Sequence, residues 1–287
     1  MTKTRKILAF IKLTRIHHAI MAVLAVIAGS ISSIPWIQII DQYTKNIVLG
    51  SIVTILVEMS VFIFNDIFNL SEDIINDPDK PLVKKEISLN EAKIYGVLTL
   101  FSSIILSIFI SFESFILILL AIITGMAYNI TLKKTGFLGN LIVAFNTALP
   151  FYYGALLVYV FYEKKIVIFY TIAFLTALGR EIIKGIRDIV GDKKAGIRTL
   201  PVILGLKKSG YIATFLIITA IILSILPLML VKNIVGYLLF ILPTDILLLY
   251  SSLSISFHPD IANASKHRKI TLIAMFLGIL GFAFSNI

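Results

Sequence analysis

Cysteine is absent from the 287 residues, and charge is scarce: Lys, Arg, Asp and Glu make up 15% of the chain. The first absence excludes disulfide frameworks, thiolate zinc sites, Cys-ligated iron–sulfur clusters and cysteine nucleophiles. The second excludes an ordinary soluble domain, which carries about 25% charged and about 45–50% apolar residues. Here the apolar share is 58% and the mean hydropathy +0.97. Disorder is excluded by the same figures. A bilayer is the solvent that this composition suits. The net charge of +10 then reads as cytoplasmic loops facing anionic headgroups, not as a nucleic-acid surface.

A membrane-crossing helix needs about 20 mostly apolar residues. Nine windows approach this: 16–36, 46–64, 94–112, 114–131, 138–160, 165–180, 211–231, 234–253 and 270–286. The sixth is short and extends to about residue 186 as a polar helix end. The expected fold is all-α, a polytopic membrane protein of nine transmembrane helices forming one domain over 1–287. Lys3, Arg5 and Lys6 ahead of the first window imitate a signal peptide, but eight later spans favour an uncleaved first helix. With the N-terminus inside, 22 of the 26 Lys and Arg fall on the cytoplasmic side, leaving only Lys45, Lys164, Lys165 and Lys232 outside. That asymmetry supports both the helix count and an active face toward the cytoplasm.

Acidic residues carry a second message, since they contribute little to topology. Eleven of 16 lie on the same face. The first cluster reads Asn65-Asp66-Ile67-Phe68-Asn69-Leu70-Ser71-Glu72-Asp73, then Asn76-Asp77-Pro78-Asp79-Lys80-Pro81. Asn65, Asn69 and Asp73 share a face if the second helix continues. The second cluster runs from Arg180 to Asp192, with Asp188 and Asp192 four apart and Glu181 and Lys184 on roughly the same face. Either cluster alone reads equally well as a polar helix cap. Two on one side of one bundle favour hard-metal chemistry, because their oxygens suit Mg²⁺ gripping a diphosphate.

These features resemble the UbiA superfamily of intramembrane prenyltransferases. The likeness covers nearly the whole chain and rests on N-D-x-x-D-x-x-x-D-like and D-x-x-x-D patterns after the second and sixth helices. Arg180–Lys184, Gly191–Gly196, Arg198–Pro201 and Pro243–Leu247 resemble its archaeal ether-lipid subgroup. The resemblance implies a UbiA-like bundle with a cytoplasmic-side cap and Mg²⁺ as cofactor. It also implies transfer of a geranylgeranyl group from its diphosphate to the free hydroxyl of geranylgeranylglyceryl phosphate. Metal ligands would be Asn65, Asn69, Asp73, Asp188 and Asp192, and the catalytic carboxylates Asp66, Asp73, Asp188 and Asp192. Two positions depart from the pattern: Asn69 and Gly185 stand where Asp is expected.

Arg15 and Lys133, with Lys80 a weaker candidate, are expected at the diphosphate. Lys184, Arg187, Lys193, Lys194 and Arg198 are expected around the acceptor phosphate. Phe62, Phe64, Tyr128, Phe145, Phe151 and Tyr152 are candidates to shield an allylic cation with their ring faces, or ordinary packing; Tyr128 is the substrate-binding choice among them. Glu58 and Asp245 sit inside spans, where ionisable groups are costly and usually functional or partnered. Asp245 is expected to shape the pocket and Glu58 to hydrogen-bond within the bundle. His17 and His18 lack metal spacing and read as interface histidines. Partners are a prenyl diphosphate, a phosphorylated lipid acceptor and membrane lipids, with no nucleic acid; homo-oligomerisation is open. Other readings are an aromatic acceptor, an ion-coupled transporter and a non-catalytic membrane scaffold.

Overall fold

The computed structural model describes residues 3–194 and 196–287, so Ala195 of the Gly191–Gly196 stretch lies outside the described residues. It is all-helical: α1 Lys3–Thr14, α2 Ile16–Ser33, α3 Thr44–Phe68, α4 Leu70–Asn76, α5 Leu89–Ile108, α6 Phe112–Ile130, α7 Phe137–Leu157, α8 Lys164–Lys194, α9 Leu206–Leu223, α10 Ile234–Phe257 and α11 Ile261–Phe284. Short turns, Trp36–Gln38 and Leu200–Leu204 among them, join these. Nine of the described segments are long and apolar enough to cross a membrane. The chain is a multi-pass integral membrane protein.

Boundaries moved where charge masks helicity. Helix α8 runs to Lys194 rather than to about 186: no proline interrupts its charged last turns, and Gly185 and Gly191 stay helical. At about 1.5 Å per residue its 31 residues span roughly 46 Å, against a hydrocarbon core of about 30 Å. The helix is thus longer than the hydrocarbon by some three turns, and its last three turns carry Asp188 and Asp192. Helix α11 starts nine residues earlier than the ninth window, capped by Asp260, whose carboxylate accepts from Asn263 N–H at 2.9 Å. Amphipathic α1 escaped the hydropathy windows because its charged residues balance its apolar ones.

Spans close into a ring: α2 packs on α3, α7 and α11, while α8 packs on α7, α9 and α11. Helices α2 and α7 meet backbone to backbone, where Gly29 faces the Phe151 carbonyl and Gly154 the Val26 carbonyl. Such close approach is how membrane helices gain contact without a hydrophobic drive. Ser30 Oγ donates to Gly154 O at 2.8 Å, tying α2 to α7, and Ser32 Oγ to Phe282 O at 2.7 Å, tying α2 to α11. Phe101, Ile105, Leu239 and Ile246 face outward, a surface fit for lipid tails.

Candidate active site

Helix α3 ends at Phe68, and Asn69 interrupts the helical run before α4. The register survives: Asn69 N–H donates to Asn65 O at 3.0 Å, and Asp73 N–H to Asn69 O at 2.9 Å. Each motif side chain is already engaged. Asn65 Nδ2 donates to Asn129 Oδ1 at 2.7 Å, and Asn129 in turn donates to Val61 O at 3.0 Å. Asp66 Oδ1 accepts from Arg15 Nη2 at 2.7 Å and from Lys80 Nζ at 3.0 Å. The same Lys80 ammonium reaches Asp73 Oδ2 at 2.7 Å. Burial pushes the Asp73 carboxyl above the usual range, against the pull of Lys80. Lys133 Nζ donates to Asn69 Oδ1 at 2.9 Å. The side chains of Glu72 and Asn76 lie outside the described residues.

Arg15 sits between α1 and α2 with φ 48 and ψ 50, a left-handed conformation that costs a non-glycine residue about 1–2 kcal/mol. The bend aims its guanidinium at Asp66 and lays it 4.8 Å from the centre of the Phe62 ring. Backbone strain is here coupled to a polar site.

On α8, Asp188 is gripped by both prongs of Arg187, at 2.5 Å and 2.7 Å. Asp192 Oδ2 accepts from Thr199 Oγ at 3.0 Å. Glu181 takes Lys184 Nζ at 3.0 Å and Arg180 Nη1 at 3.5 Å. The clusters meet through their loops. Gly136, with φ +72, ends the turn carrying Lys133, and a Cβ there would stand 1.8 Å from the Arg198 carbonyl oxygen. Only glycine combines that φ with that approach. A chain of contacts thus runs from Asn69 through Lys133 and Gly136 to Arg198, Thr199 and Asp192.

Inside the ring lies a cavity of about 310 Å³. Its polar end carries Arg15, His18, Arg180, Glu181, Lys184 and Arg268, and its far end Phe151, Ile241, Ile279 and Phe282. Asp245 lines it from the middle of α10 and accepts from Ser224 Oγ at 2.7 Å. Glu58 lines it too, but the hydrogen bond expected of it is not formed to any described residue. His18, read as an interface histidine, is in the cavity wall, its ring 5.1 Å from Phe62. Of the six candidate aromatics, Phe62 and Phe151 reach the cavity; Phe64, Tyr128, Phe145 and Tyr152 do not line it.

Residues 18–280 match the sequence profile of the UbiA prenyltransferase family. The chain belongs to that family. A digeranylgeranylglyceryl phosphate synthase of Saccharolobus solfataricus is 34% identical over 283 residues, 97% of each chain. Its counterpart in Methanosphaera stadtmanae is 36% identical over 276 residues, 96% of this chain and 97% of that one. A solved digeranylgeranylglyceryl phosphate synthase superposes with a TM-score of 0.77 at 32% identity, covering 98% of both chains. A UbiA homologue from Archaeoglobus fulgidus bound to GPP and Mg²⁺ shares the fold, with a TM-score of 0.68 at 20% identity, over 96% of this chain and 99% of that one.

Against the UbiA pattern, the departure at Gly185 acquires a local reason, whereas an Asp at 69 would accept from Lys133 as well as Asn69 does. Asn69 offers its carbonyl to Lys133. Gly185 faces Pro201, whose ring would lie 3.3 Å from an added Cβ, so an Asp there would press on the 199–201 segment. No three His, Cys, Asp or Glu side chains among the described residues converge on one metal-sized point. Donor chemistry nevertheless fits a hard cation. Asn65 Oδ1, Asp66 Oδ2, Asp73 Oδ1 and Asp192 Oδ1 accept from no described residue, whereas Arg187 takes both oxygens of Asp188. Lys193, Lys194 and Arg198, expected at the acceptor phosphate, are exposed and do not line the cavity. Sequence reasoning missed Arg180 and Arg268, which do line it, because basic residues near helix ends count first as topology signals.

Proposed function

We propose that this chain transfers a geranylgeranyl group from geranylgeranyl diphosphate to the free hydroxyl of geranylgeranylglyceryl phosphate, with Mg²⁺, at the cytoplasmic face. The observation that carries this reading is the cavity, which joins a cationic end beside two acidic clusters to an apolar interior. A prenyl diphosphate has that same polarity. Near-full-length similarity to digeranylgeranylglyceryl phosphate synthases supports the acceptor.

Asn65, Asp73 and Asp192, joined by Asn69 and Asp188 once Lys133 and Arg187 turn from them to the diphosphate, would hold the metal, which would neutralise charge on the departing diphosphate. Arg15, Lys80 and Lys133 add fixed positive charge there, already oriented by Asp66, Asp73 and Asn69, and so stabilise the leaving group. Phe62 presents its ring beneath Arg15, where an allylic carbon would gain positive charge. The apolar far end excludes water from that carbon, so the acceptor hydroxyl meets it without competition from hydrolysis. Purified protein offered geranylgeranyl diphosphate with phosphorylated, dephosphorylated and aromatic acceptors in parallel, followed by mass spectrometry of lipids, tests this. The phosphorylated acceptor should give the product, and chelation should abolish it. A faster aromatic reaction would refute the acceptor, and no transfer with any acceptor would refute the enzyme reading.

A further inference from the structure

Two guanidinium groups in the cavity are underused. Arg180 Nε and Arg268 Nε are both buried, and neither donates to a described residue. The Arg180 guanidinium makes one long contact, to Glu181 at 3.5 Å. Arg268 forms no hydrogen bond or ion pair with a described residue, yet it is near enough to Arg180 and Arg187 for their charges to act on one another. Like charges gathered in a low-dielectric pocket repel strongly unless an anion joins them.

We infer that Arg180 and Arg268, with Lys184 beside them, bind the phosphate of the lipid acceptor. This rests on the transfer reaction proposed above and adds the place of its second anion. The cations at the first cluster are committed elsewhere: Arg15 and Lys80 hold Asp66, and Lys133 holds Asn69. On α8 and α11 the balance is different. Asp188 is taken by both prongs of Arg187, and Asp192 and Asp77 act on Lys184 and Arg187, but Arg180 and Arg268 have no carboxylate of their own and share Glu181 with Lys184. A phosphate monoester at neutral pH carries about −1.5 to −2 and would give the two guanidinium groups the counter-charge they lack. Guanidinium forks suit its oxygens geometrically, two donors to two acceptors. A phosphate held at this polar end leaves its prenyl tail the apolar end of the same cavity.

The test is steady-state kinetics of Arg180→Gln and Arg268→Gln with geranylgeranylglyceryl phosphate and with geranylgeranylglycerol. The phosphorylated acceptor should lose at least tenfold in preference, measured as the ratio of kcat/KM for the two acceptors, while the KM for geranylgeranyl diphosphate stays within twofold. Arg268→Lys, which keeps charge but not the fork, should fall between. Equal loss with both acceptors would mean that the arginines only shape the pocket, and would overturn the inference. A raised diphosphate KM would overturn it as well, assigning the arginines to the donor. If the unaltered protein transfers to neither acceptor, the proposed reaction itself is wrong and the inference falls with it. A failure confined to the variants leaves that reaction standing.

Discussion

Lys80→Met removes the one ammonium that Asp66 and Asp73 share. Its Nζ lies 3.0 Å from Asp66 and 2.7 Å from Asp73, and the two residues are 2% and 7% exposed. At an effective dielectric of about 20, each contact is worth roughly 5 kcal/mol gross. Desolvation of the lysine offsets much of this, but the carboxylates stay buried in the variant, and losing one partner of a buried pair costs about 3–5 kcal/mol. Lys80 is partly exposed and Asp66 keeps Arg15, so about 3 kcal/mol is the expected loss. For a chain of this size that lowers Tm by about 5 °C. Mg²⁺ should restore most of it. In the unaltered protein the Lys80 ammonium already neutralises these carboxylates and repels a cation bound at their other oxygens, whereas in the variant that repulsion is gone, and ligand at 100 times its Kd adds about 2.7 kcal/mol. The assay is thermal unfolding in detergent across a Mg²⁺ titration, with Lys80→Arg as the charge-retaining control. Equal Mg²⁺ shifts in both proteins would show that the metal does not feel the Lys80 charge, and the ligand assignment at Asp73 would fail.

Asp73→Ala, Asp188→Ala and Asp192→Ala should each lower turnover by orders of magnitude with the protein still folded; near-normal turnover at any one removes it from the site. Asn69→Asp adds charge where only a carbonyl now meets Lys133, and should move the Mg²⁺ dependence of turnover to lower concentration. Identical titration curves would put Asn69 outside the metal shell. Gly136→Ala meets a positive φ, worth about 1–2 kcal/mol, and a carbonyl at 1.8 Å. It should part the two loops, destabilise the protein and lower transfer together, and unchanged melting would refute that contact. Gly185→Asp should cost about 1–3 kcal/mol by crowding Pro201, read by denaturation, and a gain in stability would show that the 199–201 segment is not held there.

Apolar windows and basic asymmetry were enough to expose nine spans, because both signals are local and large. The ends were harder. The last turns of α8 look like loop to a hydropathy average, and α1 mixes Lys and Arg with Ile and Leu. Oxygen-rich spacing pointed to Asp73, Asp188 and Asp192, but spacing along one helix says nothing of what waits across from it. Asn129, which orients Asn65, stands 64 residues away, and Thr199 reaches Asp192 from a loop. Arg268 was hidden differently: a lone arginine near a helix end counts toward topology before it counts as a ligand. Lys193, Lys194 and Arg198 erred the other way, since adjacency in sequence was read as convergence in space.

The length of α8 bears on the direction of the reaction. In the proposed orientation the last turns of α8, with Asp188 and Asp192, would reach the aqueous layer, while the cavity's apolar end would lie at the depth of the lipid tails. The proposed reaction would then split one amphiphile across a phase boundary. Diphosphate dissolves into water on one side, and a two-tailed lipid dissolves into the bilayer on the other. Each CH₂ that stays in lipid is worth about 0.8 kcal/mol. The two products thus seldom meet again at the mouth, and forward flux is maintained by partitioning into separate solvents, with no further input of energy.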